Sequence, residues 1–166
     1  MISQGHGYVS LTHRKLMDGT DRRILDLLRR DARLPTAEVA RQVHVSRATA
    51  HERIKRLHET GIIRGSHVVM DPAALGRPLR AILLVHLVPD IRSDQRTIGK
   101  QIAEIPDVDR VHIVSGRYDF VVEVLAKDMD EIGSIILERI RTIEGVGNTE
   151  TMLCFWSMDG PGISLD

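Results

Sequence analysis

The stretch TAEVARQVHVSRATAHERIKRLHETG, residues 36–61, decides the fold of the first half of the chain. Thr36 opens a helix whose apolar positions are Ala37, Val39, Ala40 and Val43. A brief turn at His44-Val45 follows, and Ser46 is a natural N-cap, its hydroxyl able to accept from the backbone N–H groups that a helix start leaves unpaired. The next helix places Ala50, Ile54 and Leu57 on one face, at spacings of four and three. Gly61 fits the position just past such a helix, where a left-handed residue closes the last turn. Two short helices with a tight turn between them form a helix-turn-helix, and the second of the pair is the one that enters a DNA groove.

Upstream, Ile24, Leu27 and Leu28 share a face of a preceding helix that Asp18 or Thr20 can cap, with Asp21, Arg22, Arg29 and Arg30 expected on the outside. Met1 to Met17 shows no periodicity and is expected to be a flexible tail. Residues 1–66 hold 13 Lys and Arg against 7 Asp and Glu, while residues 67–166 hold 10 against 16. The overall charge of zero therefore conceals a basic module with a surplus of six and an acidic one with a deficit of six. With one cysteine, Cys154, the chain has no intramolecular disulfide and no cysteine-rich zinc site, which suits a reducing cytoplasm. It shows no signal-peptide pattern and no run of the ~20 apolar residues that a membrane helix requires.

The second half alternates differently. Arg80 to Val88 reads as a buried strand, Ser93 to Ile105 as a helix closed by Pro106, and Val108 to Val114 and Phe120 to Leu125 as strands around Ser115-Gly116-Arg117-Tyr118. Met129 to Ile143 is a helix with Ile132, Ile135, Ile136 and Ile140 inward, and Val146 to Met158 a last strand. Strand, helix, strand, strand, helix, strand is the ferredoxin-like βαββαβ plan. The fold class is α+β, and the sheet face without helices needs a partner, which dimerisation supplies.

On the third helix the outward positions are Arg47, Thr49, Glu52, Lys55 and Arg56, with His51 on a flank and Arg53 bordering the core. Arg47 suits bidentate reading of guanine, and Thr49 and His51 can reach bases or sugar. Arg53, Lys55 and Arg56 are expected at phosphates, where they position without reading sequence; Thr36 and Ser46, at helix starts, complete the expected DNA-contact set. Ile62-Ile63 and Val68-Val69 fit either a wing or an interdomain strand.

The runs Asp21-Arg22-Arg23-Ile24-Leu25, Ala37-Glu38-Val39-Ala40, Ser46-Arg47-Ala48-Thr49, Arg53-Ile54-Lys55-Arg56-Leu57 and Gly61-Ile62-Ile63-Arg64-Gly65, then Asp71-Pro72, Leu75-Gly76 and His112-Ile113-Val114-Ser115-Gly116-Arg117-Tyr118-Asp119, occur in order. Together they resemble the Lrp/AsnC family, the leucine-responsive or feast/famine regulators, from about Asp18 to Met158. The resemblance implies a winged helix-turn-helix at 18–66, a linker at 67–78, a ligand-binding and oligomerisation domain at 79–160 and a short tail at 161–166. It also implies homodimers assembling to octamers on double-stranded DNA, and amino-acid effectors held between subunits near the Gly-x-Tyr-Asp segment. A cytoplasmic, nucleoid-associated location follows. One departure is His44, where the family has glycine; histidine tolerates positive φ at a small cost.

For the effector, Ser115 and Gly116 form a turn whose backbone N–H groups suit a carboxylate, or else simply bend a hairpin. Arg117 can pair with a carboxylate, Asp119 can accept from an ammonium group, and Tyr118 offers an aromatic wall. Thr149 and Thr151 resemble cleft positions of the family and either touch ligand or line an interface. Nothing in the spacing supports a catalytic nucleophile with its base, so an enzyme is not expected. No cofactor is expected either. His44, His51 and His58 are too far apart along the chain's helical rise to share a metal, since two turns span ~10 Å. An architectural DNA-organising protein without an effector is the alternative, because wrapping uses the same basic helix.

Overall fold

The structure, a computed structural model, describes residues 17–88, 94–158 and 160. Residues 1–16 of the expected tail at 1–17, the tail at 161–166 and the start of the helix at Ser93 lie outside the described residues, and Met17 packs against the core of the first unit. The chain forms two compact units that divide between Val68 and Val69.

The first unit has three helices, α1 (Gly19–Arg30), α2 (Thr36–Val43) and α3 (Arg47–Glu59). Asp18 caps α1: its side chain accepts from the backbone N–H groups of Thr20 (2.8 Å) and Asp21 (2.9 Å), while Asp21 reaches back to the N–H of Asp18 at 3.1 Å. This reciprocal capping satisfies donors that a helix start leaves open. Between α2 and α3, the amide of Val45 donates to the carbonyl of Ala40 (3.0 Å) and that of His44 to Arg41 (3.4 Å). This is a Schellman closure with His44 as its left-handed residue, at φ 60°, ψ 46°. Ser46 then caps α3 by accepting from Thr49 N–H at 3.0 Å. The core is aliphatic, built on Ile24, Val39, Val43 and Leu57, with Ile54, Ile62 and Ile63 packed against it.

Ile62 and Ile63 thus complete the helical core. Residues 64–70 carry no strand pairing within the described chain, and Val68, Val69 and Met70 are exposed. As wing or interdomain strand, the segment is thus unpaired among the described residues; an extended segment needs a neighbouring edge to bond with.

The second unit is a four-stranded antiparallel sheet in the order β2-β3-β1-β4, formed by β1 (Leu79–Leu87), β2 (Val108–Ile113), β3 (Phe120–Ala126) and β4 (Val146–Cys154). Its helices are α4 (Gln95–Ala103) and α5 (Met129–Ser134), the latter continuing as a π-helical stretch, Ile135–Ile140. Alternation sends Ala81, Leu83 and Val85 of β1 and Phe120, Val122, Val124 and Ala126 of β3 into one core with Ile98, Ile102, Ile132, Ile135, Ile136 and Ile140. The wider π turn lets Ile135, Ile136 and Ile140 all face that core. The register places Arg80, Ile82 and Leu84 beside Leu125, Glu123 and Val121 on one side, and beside Cys154, Met152 and Glu150 on the other. These residues form the opposite sheet face, on which no helix packs among the described residues. The last strand ends at Cys154, short of the expected Met158, and leaves Phe155 and Trp156 exposed.

Candidate functional site

Two regions collect the chemistry. The first is the start of α3. Arg47, Ala48 and His51 line a concavity of about 490 Å³ together with Thr36, the first residue of α2. The N-termini of two helices therefore border one hollow, and both carry backbone N–H groups and the positive ends of helix dipoles, a favourable setting for phosphate oxygens. Arg47 and His51 are exposed, and Arg47 forms no ion pair with any described residue. The hydroxyl of Thr49 lies 2.8 Å from that of Ser46, whose oxygen is engaged in capping. Lys55 is exposed and only loosely paired with Glu59, at 3.7 Å.

Arg53 and Arg56, expected at phosphates, each engage carboxylates at the start of α1, Arg53 with 25% and Arg56 with 49% of the side chain exposed. Nη1 of Arg53 donates to Asp18 at 2.7 Å and to Asp21 at 2.9 Å, and Nη2 of Arg56 donates to Asp21 at 2.6 Å. Asp21, expected on the outside of α1, has a side-chain exposure of 0%. The outward expectation failed because periodicity takes a charged residue for a solvated one, whereas two guanidiniums from a distant helix compensate this carboxylate in place of water. The Asp-x-x-Asp start of α1 and the Arg-x-x-Arg spacing on α3 were the only sequence signals for the pairing.

The second region is the loop between β2 and β3. Gly116 adopts φ +124°, a conformation that side chains rarely take, and a Cβ there would meet nothing within 4 Å. Backbone conformation therefore selects glycine at this turn. Ser115, Gly116 and Arg117 are exposed. The guanidinium of Arg117 stands 5.3 Å from the Tyr118 ring centroid, and the His86 ring packs on Tyr118 at 4.7 Å. The phenol of Tyr118 donates to Glu150, and this bond holds its pKa above the ordinary value. Asp119 is occupied on both oxygens: Oδ2 accepts from Leu87 N–H at 2.8 Å and Oδ1 from the Gln95 side chain at 2.9 Å. It ties the loop to the end of β1 and the start of α4.

Thr149 and Thr151 pair with Val85 and Leu83, so they share the helix-bearing side of the sheet. Tyr118 meets β4 through Glu150, which points to the other side. Among the described residues, the loop meets β4 at Glu150, and no side-chain hydrogen bond or ring contact joins it to Thr149 or Thr151. His86 and Glu150 were missed by sequence reasoning; strand alternation separates Glu150 from its threonine neighbours, but only the register brings it to Tyr118.

Comparison with known proteins matches residues 17–58 to the AsnC-type helix-turn-helix domain and residues 80–158 to the Lrp/AsnC ligand binding domain. The chain belongs to the Lrp/AsnC family. An uncharacterized HTH-type transcriptional regulator of Pyrococcus furiosus is 38% identical over 141 residues, covering 85% of this chain and 94% of that protein. Among solved structures, Escherichia coli AsnC superposes with a TM-score of 0.79 at 26% identity, over 89% of this chain and 97% of its own. A transcriptional regulator from Neisseria meningitidis, solved as an L-Met complex, gives 0.80 at 22% identity, over 87% and 93%. As an Lrp/AsnC member the chain is a DNA-binding transcriptional regulator with a ligand-binding domain, not an enzyme. Among the described residues no helix is long and apolar enough to cross a membrane.

Proposed function

We propose that this regulator prefers particular DNA sequences, reading them through the first turns of α3, and that an amino acid bound in its second unit modulates that binding. The observation that carries the reading is the exposed Arg47, in no ion pair with a described residue, beside Thr36 and His51 in the hollow at the helix-turn-helix. In this arrangement Arg47 reads a guanine edge, Thr49 and His51 reach bases or sugar, and Thr36, Ser46 and Lys55 lie along the backbone.

The effector site draws on Ser115, Gly116, Arg117, Tyr118 and Asp119, with Thr149 and Thr151. The backbone of the exposed Gly116 turn and the Arg117 guanidinium suit a carboxylate, and the rings of Tyr118 and His86 suit an apolar side chain. Asp119 shapes the loop by accepting from Leu87 N–H and the Gln95 side chain, and the remaining lone pairs of its carboxylate can accept from an ammonium group. A site that uses both the loop and the threonines is completed by a second copy of the chain. The half-apolar sheet face and the exposed Val68-Val69-Met70 segment support assembly as a homodimer, and dimers can gather further into octamers. The amino-acid class is supported by the L-Met complex of the Neisseria meningitidis neighbour. Two-fold symmetry then sets two α3 helices about one DNA turn, ~34 Å, apart.

The test is binding to the chain's own upstream DNA over a salt series, with and without a mixture of the common amino acids. Sequence-preferring binding that shifts with the mixture is expected. Preference with no shift refutes the effector reading, and salt-steep binding without preference turns the protein into an architectural one.

A further inference from the structure

Asp21 is the one charged or polar residue among those fully buried in the described chain. Its position is unusual in function as well as burial: it stands in the first turn of α1, yet its partners are two arginines 32 and 35 residues away on the helix that faces DNA. Oδ1 takes Arg53 Nη1, and Oδ2 takes both Arg56 Nη2 and the backbone N–H of Asp18. Asp18, itself exposed, adds a second carboxylate to Arg53 at 2.7 Å. Two of the cations on α3 are thereby neutralised by two anions within the same unit.

This has an electrostatic consequence for DNA binding. Each phosphate that a protein cation neutralises releases counterions and steepens the salt dependence of binding, whatever the base sequence. Cations held by internal carboxylates make no such contribution. They also fix the rotation of α3 about its axis, because Arg53 and Arg56 lie three residues apart on one flank and are clamped to a buried point on α1. We propose that Asp21 is a positioning residue and the internal counterion of the DNA-reading helix. It withholds Arg53 and Arg56 from the phosphates and leaves Arg47 as the guanidinium of α3 that faces DNA, so that preference for a site is gained over indiscriminate backbone attraction. The inference rests on α3 being the reading helix.

The experiment measures binding of the full chain to two duplexes over a salt series: one carrying a site selected from a random pool, the other of random sequence. Arg56→Gln removes a half-exposed guanidinium and should leave the slope of log K against log salt unchanged on both duplexes. Lys55→Gln, at the α3 cation placed along the DNA backbone, should flatten it. Were Arg56 a phosphate contact, its loss would lower the slope by ~0.9, equivalent to ~3.5-fold less affinity lost over a fourfold rise in salt. Asp21→Asn keeps the side-chain shape but removes the charge. It should steepen the slope on random DNA by ~1–2 and reduce the ratio of site to random affinity, as the freed arginines reach phosphates. A merely structural Asp21 would weaken both duplexes alike with no steepening. If Arg56→Gln flattens the slope as Lys55→Gln does, the counterion role is overturned while α3 remains the reading helix. If neither variant changes the slope, α3 is not the reading helix and the proposal falls with it. Should Asp21→Asn fail to fold by circular dichroism, the comparison of Arg56→Gln with Lys55→Gln decides alone.

Discussion

Replacing Asp119 with alanine separates a structural role from a ligand-holding one. In the structure its Oδ2 accepts from the part-buried Leu87 N–H at 2.8 Å and its Oδ1 from the exposed Gln95 side chain at 2.9 Å. Alanine leaves the Leu87 donor without its acceptor at the end of β1, a loss of ~1–3 kcal/mol, and removes a surface bond worth ~0.5–1 kcal/mol. The expected destabilisation of the second unit is therefore about 2–3 kcal/mol. In urea, with m of ~2 kcal/mol/M for a unit of this size, the midpoint falls by ~1 M. Far-UV circular dichroism at one fixed protein concentration is the appropriate assay, because the single tryptophan, Trp156, is 88% exposed and a poor reporter of the core. Asp119→Asn keeps an acceptor for Leu87 N–H, and the Gln95 amide can turn to accept from the new one, so less than ~1 kcal/mol is expected. A midpoint for Asp119→Ala within ~0.3 M of the wild type would refute the argument. The carboxylate would then be dispensable to the loop.

Arg47→Ala should cost about 1–3 kcal/mol on a preferred DNA site and less on random DNA, measured by titration of both duplexes; an equal loss on the two would make Arg47 a phosphate contact. His44→Gly should raise the stability of the first unit by ~0.5–1 kcal/mol, because glycine relieves the left-handed backbone at φ 60°; a lower thermal midpoint would contradict that. Phe120→Ala, at the largest fully buried side chain, should cost ~3–5 kcal/mol in denaturant and leave the salt slope of DNA binding unchanged. Asp18 is held below its ordinary carboxyl value, chiefly by the backbone N–H of Asp21 and then by Arg53. A lowered folded-state pKa contributes stability above the unfolded value that is lost as pH falls through the folded one. Asp18→Asn should accordingly flatten the acid limb of thermal stability below about pH 4, and superimposable limbs would exclude that contribution.

The sequence alone determined what local physics controls. Ser46 before an apolar spacing of four and three, Gly61 after it, and the Ile and Val alternation of β1 and β3 each specify an element within a few residues of themselves. Capping, helical period and strand period are short-range effects, and the helix-turn-helix and the βαββαβ order were legible for that reason. His44 was legible as a departure too, since a left-handed position can be inferred from the turn that surrounds it. What only the tertiary structure decided is which polar side chains remain free to act. Asp21 reads as solvated because its helix face is polar, yet it is buried by Arg53 and Arg56 from the far side of the domain. Asp119 reads as an acceptor for an ammonium group, and only the fold brings Leu87 N–H and the Gln95 side chain to its oxygens as well. Glu150 gains significance only when the register of β4 against β1 brings it to Tyr118. A charged side chain belongs to whichever partner folding brings within hydrogen-bond range, and partners some 20 to 35 residues away leave no periodic mark on the chain.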